Sequence, residues 1–322
     1  MKSVFSSVLA AAALAASLSA LAQAADEPAG PAIRHRFLAV DESRSKLHYV
    51  DQTDESKNWE ISYGGRYRDI QLIGGGKILI NTGSGYREYD LATRKQTAEF
   101  ADKQLAGSET VRRTTDGRTI VGCNQKADGK SAIAFYELDK DNKIVRQAVF
   151  PALSALRLGR LTPRGNLLFG ANSDLVIEAT LEGKIVRQVK LAGIKTPYHS
   201  LAPAGRLLVS SGYSGFVAEF DDAGKELRRW GNSPAKPDKD YHFFCGLQVL
   251  KNGNIVACNW TGHGANDSVK APQLLEFSPD GKRVWSWHDP KLAGTLVGVI
   301  VLDDLDVSKL CDDSSGILSP VK

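Results

Sequence analysis

Past residue 24 the chain has no apolar run long enough to cross a bilayer, so stable insertion in a membrane is not expected of the mature protein. It also lacks charge of one sign: 41 basic residues against 37 acidic ones leave +4, spread along the chain. A dedicated nucleic-acid binder would show a basic stripe, and none is present. Histidines are few and never fall in a His-x-His or His-x3-His spacing, and no compact acidic cluster appears. No resident cofactor is therefore expected. The one metal arrangement left open is a divalent ion held by His199, His242 and His263. Cysteine is scarce too, with four in the chain, none beside an evident base, so a cysteine nucleophile is not expected.

The first residues are of a different kind from the rest. Lys2 opens an apolar and small-residue core over residues 4–21, and Ala22, Gln23 and Ala24 fit a small-x-small cleavage site. This reads as a secretory leader cut before Ala25, with an N-terminal anchor as the alternative. No twin arginine precedes the core and no cysteine sits at the cut, which favours the general export route over folded export or a lipoprotein. The mature protein is expected in the periplasm or secreted. Removing 24 of 322 residues leaves 298, enough for one large domain.

What fills that length is a repeat. Gly76, Gly117, Gly165, Gly205 and Gly253 mark tight turns spaced 41, 48, 40 and 48 residues apart. Each turn precedes a short run rich in Ile, Leu and Val, at 77–80, 119–123, 167–170, 207–210 and 255–258, with a sixth at 37–40 ahead of the series. A third run follows each, at 47–51, 86–90, 133–138, 175–180, 217–220 and 274–277. Units of this size with four short strands predict an all-β, six-bladed β-propeller over 36–304, with a lead at 25–35 and a tail at 305–322. The first blade has no inner strand of its own, and the apolar segment 297–302 is left over. It is expected to pair with 37–40 and close the ring, removing an open sheet edge; a five-bladed ring with loose ends is the alternative.

A propeller sorts its loops. The turns built on Gly117, Gly165, Gly224 and Gly253 share one face and are short. The other face carries the long connections, above all 231–241 and 259–272, and function is expected there. That face should hold His199, His242, His263 and His288, with Tyr198, Trp260 and Arg68 near the channel mouth and Arg112 and Arg160 further round. Imidazole, guanidinium and aromatic groups together suit a small anionic or aromatic ligand. Arginines on inner strands have a second reading, as partners of Asp69 or Glu109 across the channel. Trp285 and Trp287 alternate on an outer strand and are read as packing between blades. Cys245 and Cys258 flank a hairpin symmetrically and should face each other, either as a disulfide or as small buried side chains.

The phrase CGLQVLKNGNIVACNW, followed by LLEFSPDGKRVWSWHDP, resembles secreted bacterial propellers of the arylsulfotransferase-like and PQQ-like repeat group. The resemblance implies a propeller, and for the sulfotransferase branch a histidine that accepts the sulfuryl group with arginines around it. Where those proteins carry histidine this chain has Cys245, which leaves His199 or His242 to take the role. Two readings follow: a propeller binding a small ligand without chemistry, or a transferase, lyase or hydrolase using His199 or His242, with Arg112 and Arg160 holding an anion. A protein-interaction scaffold is the third. Convergence of His199, His242 and His263 in one pocket would favour the enzyme.

Overall fold

The computed structural model describes residues 32–65, 67–235 and 237–321; the expected leader at 1–24 lies outside them. Six four-stranded antiparallel sheets are formed, each from consecutive strands joined by hairpins except the first. The inner strands are Ile70–Gly74, Ser108–Arg113, Gly159–Leu161, Ser200–Leu201 and Phe243–Val249 in blades two to six. Blade one takes its inner strand from far along the chain. Leu296–Val301 pairs antiparallel with Arg36–Asp41, with Leu38 opposite Ile300 and Ala39 opposite Val299. The ring closes as the leftover apolar segment required.

Local chemistry explains the strands. β-branched and large apolar residues alternate with small or polar ones, and many hairpin turns have a glycine at positive φ, as at Gly117 (85°) and Gly253 (85°), where a Cβ would be strained. The core lies between blades. Phe135, Phe150 and Phe169 pack at centroid distances of 4.9 to 6.4 Å. Trp285 and Trp287 do serve as blade-to-blade packing: Phe37 of blade one meets them edge-on at 6.4 and 5.2 Å.

Closure is also held by side chain to backbone bonds. Gln248, on the inner strand of blade six, accepts from Val301 N–H at 2.7 Å and donates to Val301 C=O at 3.1 Å. Gln71 makes the same double bond with Arg113 between blades two and three, at 2.7 and 3.1 Å. Replacing Gln248 with Ala strands both backbone groups of Val301 in a buried position. We expect a loss of about 2 kcal/mol in urea denaturation. A loss indistinguishable from zero would mean that the strand pairing alone holds the closure.

One expected register is corrected. Phe243 and Phe244 oppose Trp260 and Asn259, but Leu247 opposes Ala257, so a bulge falls at Cys245 and Gly246. The three-residue connection that Leu250 and Asn254 close adds one residue to this strand, and the bulge absorbs it. The bulge falls where a Cβ on Gly246 would stand 2.6 Å from Val297 C=O of the closing strand. Cys245 and Gly246 thus share Cys258 as their opposite residue, so the two cysteines are neighbours but not a regular pair, and all four cysteines are free, buried thiols. The pair remains as small buried side chains, with the Cys245 thiol donating weakly toward the Cys258 carbonyl at 3.5 Å.

Candidate functional site

The start of every inner strand faces the long-loop end of the axis, so one residue from each blade reaches a common ring. Arg68, Glu109, Arg157, Tyr198, Phe243 and Val297 supply it. Above them stand the connections between second and third strands, which bring Glu42 from blade one, Tyr213 from blade five, and Trp260 and His263 from blade six. These groups, Glu109 apart, line a cavity of about 180 Å³.

Glu42 organises this mouth. It is 5% exposed; one carboxylate oxygen accepts from the Trp260 indole N–H at 2.8 Å and lies 3.2 Å from His263 Nδ1. The other accepts from Arg68 at 3.3 Å, and Arg68 also bonds Glu109. Burial by itself disfavours the Arg68 charge, but the flanking carboxylates of Glu109 and Glu42 outweigh that and hold it firmly protonated. Arg68 lines both the mouth cavity and the channel below it, and so forms the neck between them. The wall is aromatic: Phe243 sits edge-on to Tyr198, Tyr213 and Trp260 at 5.6, 4.6 and 5.4 Å, and Trp260 meets His263 at 4.5 Å.

Two polar groups at this mouth are left available: a buried hydroxyl without a partner and a half-buried guanidinium without a counter-charge. The Tyr198 hydroxyl is buried with no hydrogen-bond partner, although its residue lines the cavity. Burial keeps it a neutral phenol at a pKa well above the ordinary value, even with Arg68 and Arg157 nearby, so it is a donor without an acceptor. Arg157 lines the same cavity, and its guanidinium bonds only its neighbour's carbonyl, that of Leu156, at 3.1 Å. Among the described residues it has no carboxylate partner.

Below the neck lies a second tier. Arg112 binds Asp69 at 2.7 Å and Ile70 C=O at 2.8 Å, and Arg160 reaches the same aspartate at 3.3 Å. Asp69 also accepts from Thr110 Oγ1 at 2.5 Å and Val111 N–H at 3.1 Å. Arg160 Nε donates to Asp313 at 2.7 Å. His199 accepts from Leu247 N–H through Nδ1 at 3.1 Å, which places its proton on Nε2. Burial first, then the Arg160 charge, pushes its pKa down to about 4.

Of the residues expected at the mouth, Arg68, Tyr198, Trp260 and His263 are there together. Arg112 and Arg160 are not: they lie deeper and are taken up by aspartates, the second of the two readings open for inner-strand arginines. His199 is 2% exposed in the deeper tier, and His242 is not among the residues lining either cavity, its backbone N–H held by Asn259 at 2.8 Å. The three imidazoles considered for a shared metal do not line one cavity, and among the described residues no group of three or more His, Cys, Asp or Glu side chains is arranged to hold one. His288 serves the fold, with Nε2 2.9 Å from Ser268 C=O. The sequence reading missed Glu42. Loop sorting alone could have found it, since it follows the second strand of blade one as Thr261 follows that of blade six.

No protein-family model matches the chain, and comparison with curated protein sequences returns no match. Solved structures do resemble it. A protein of unknown function from Bacteroides caccae aligns with a TM-score of 0.66 at 22% identity, over 83% of this chain and 98% of that one. Streptogramin B lyase aligns with a TM-score of 0.53 at 13% identity, over 80% and 83%. A calcium-binding protein, regucalcin, from Agrobacterium tumefaciens aligns with a TM-score of 0.50 at 15% identity, over 73% and 84%. At these identities the likeness is one of fold: it supports the propeller and does not single out the arylsulfotransferase-like or PQQ-like group.

Proposed function

We propose that the protein binds a small organic anion bearing a ring at the loop-face mouth, and that it does so as an exported protein. The observation that carries this reading is the buried, unpartnered hydroxyl of Tyr198 near the carboxylate-free Arg157, both residues lining the same cavity. A ligand carboxylate or sulfate accepts from both groups at once, and its ring lies against Trp260 and Phe243. A cavity of about 180 Å³ at the channel mouth, walled by aromatic side chains, suits a small ring-bearing acid. The channel below is closed to that ligand by Arg68 clamped between Glu42 and Glu109.

The test is a thermal-shift screen of sulfated phenols, aromatic acids, sugar acids, quinones and divalent metals, followed by calorimetry of the hits. Aromatic acids or sulfates are expected to stabilise the protein. Tyr198→Phe should weaken their binding about tenfold and Arg157→Gln about tenfold to a hundredfold, the range for hydrogen bonds to a charged group. Hits whose affinity survives both changes would place the ligand elsewhere.

A second reading, turnover of the bound ligand, is favoured by one contact. His263 Nδ1 is 3.2 Å from Glu42, which fixes the ring and leaves Nε2 to face the mouth as a general base. In that reading His263→Ala removes turnover of a hit while its affinity changes little. The role considered for His199 or His242 passes to His263, because it alone of the three lines the cavity.

A further inference from the structure

The segment after the closing strand crosses the turn face instead of leaving it. The Val307 and Ser308 carbonyls accept from Gly76 and Gly75 N–H at 3.0 and 2.9 Å, and Cys311 C=O accepts from Gln71 at 3.1 Å. Cys311–Asp312 then pairs with Ser319–Pro320, and the connection between them drops Asp313 into the channel. On the far side Gly316 packs on Pro203 of blade five, so closely that a Cβ would fall 2.5 Å from the proline.

What Asp313 meets is built by the rigid inner strands. Arg112, Arg160, Asp69 and His199 come from blades two to five and hold two positive charges against one carboxylate, since His199 is neutral. Besides the guanidinium N–H groups that bond Asp69 and backbone carbonyls, the cluster holds Arg160 Nε, Arg112 Nε and His199 Nε2. Asp313 Oδ2 takes the first at 2.7 Å and stands 3.6 Å from the third. The Arg112 and His199 donors are buried and have no hydrogen-bond partner, although each residue lines the same cavity of about 30 Å³. The blades alone are therefore one negative charge short, and a buried guanidinium without its counter-charge is costly. The missing charge arrives on a segment outside the blades, held to blade two through Gly75, Gly76 and Gln71.

We infer that Arg112, Arg160 and His199 form a carboxylate-binding site on the channel axis, filled in cis by Asp313 and open to a small carboxylate from solution when that segment lifts. The unsatisfied donors are what a carboxylate with both oxygens free to turn would bond more completely than the tethered side chain does. This site is separate from the loop-face mouth, and its test does not depend on that one.

The probe is acetate, added to the full chain against equal sodium chloride. Asp313→Ala should be destabilised in chloride and regain melting temperature saturably with acetate, while the wild-type protein, its site occupied, responds no more than to chloride. Adding Arg160→Gln should abolish the regain. Equal responses of wild type and Asp313→Ala, or a regain that survives Arg160→Gln, would overturn the inference. Asp313→Asn keeps the shape and removes the charge, and serves if the alanine variant does not fold. Amide exchange across 302–321 should then quicken by about tenfold with the blades unchanged, as expected for release of a locally held segment. Unchanged protection of that segment would equally overturn the inference.

Discussion

Urea denaturation from pH 4 to pH 9.5 is expected to trace a dome of stability that peaks near pH 6.5, because two buried histidines are shifted in opposite directions. His35 sits where blade six meets blade one, 2.8 Å from Glu276 and 2.6 Å from Asp303. Burial alone would lower its pKa, but hydrogen bonds to Asp303 and Glu276 and their charges together raise it to about 9. Below 6.5 the imidazole is protonated in both folded and unfolded chains, and the clamp contributes in full. Between 6.5 and about 9 the folded protein keeps a proton that the unfolded chain has released, so stability falls as pH rises. The loss across that window is about 3 kcal/mol, at 1.36 kcal/mol per unit, as an upper value. His199 does the reverse. Its folded pKa of about 4 means that the unfolded chain takes up a proton that the fold refuses, so stability falls as pH drops from 6.5. Asp303 and Asp313, both held below the ordinary carboxylate range, steepen the acid end of that limb, where the same carboxylates in the unfolded chain begin to take up protons and the fold still keeps them ionised. His35→Gln should flatten the alkaline limb and leave the acid one. An alkaline limb as steep in His35→Gln as in the wild type would show that another group sets it.

Phe37→Ala should cost about 4 kcal/mol, the most expected here of any single apolar truncation. Phe37 is fully buried, opposes Val301 of the closing strand and lies edge-on to Trp285 and Trp287. Truncation leaves a cavity at the seam where the ring joins, and neither neighbouring sheet can move in to fill it without breaking its own pairing. The loss is read from the urea midpoint at constant slope, and tryptophan emission should shift to the red as water reaches the seam. A loss below about 1 kcal/mol would mean that the seam collapses around the gap and that the closing strand is held chiefly by its backbone.

Much of the mouth was legible because position in a repeat fixes position in the ring. Tyr198 and Arg68 begin inner strands, and Trp260 and His263 follow a second strand, so each had to face the long-loop end. Depth along the axis was not legible. His199 is one residue from Tyr198 yet belongs to the lower tier, and Arg112 and Arg160 lie below the neck with it. Strand phase alone does not say how far down a side chain reaches or which carboxylate it meets. Glu42 bonds Trp260 across 218 residues of sequence, and Arg160 bonds Asp313 across 153. No local pattern carries such pairings.

Blade number, strand phase, loop sorting and the joining of the apolar segment 297–302 to 37–40 were determined by the sequence itself, because alternation and turn glycines act over a few residues and repeat. The partners of the buried charges were decided only by the tertiary structure. Electrostatic pairing depends on distance in space, and six sheets converging on one axis bring together groups the chain holds far apart. The bulge beside Gly246 was likewise decided there, by the closeness of the strand that closes the ring.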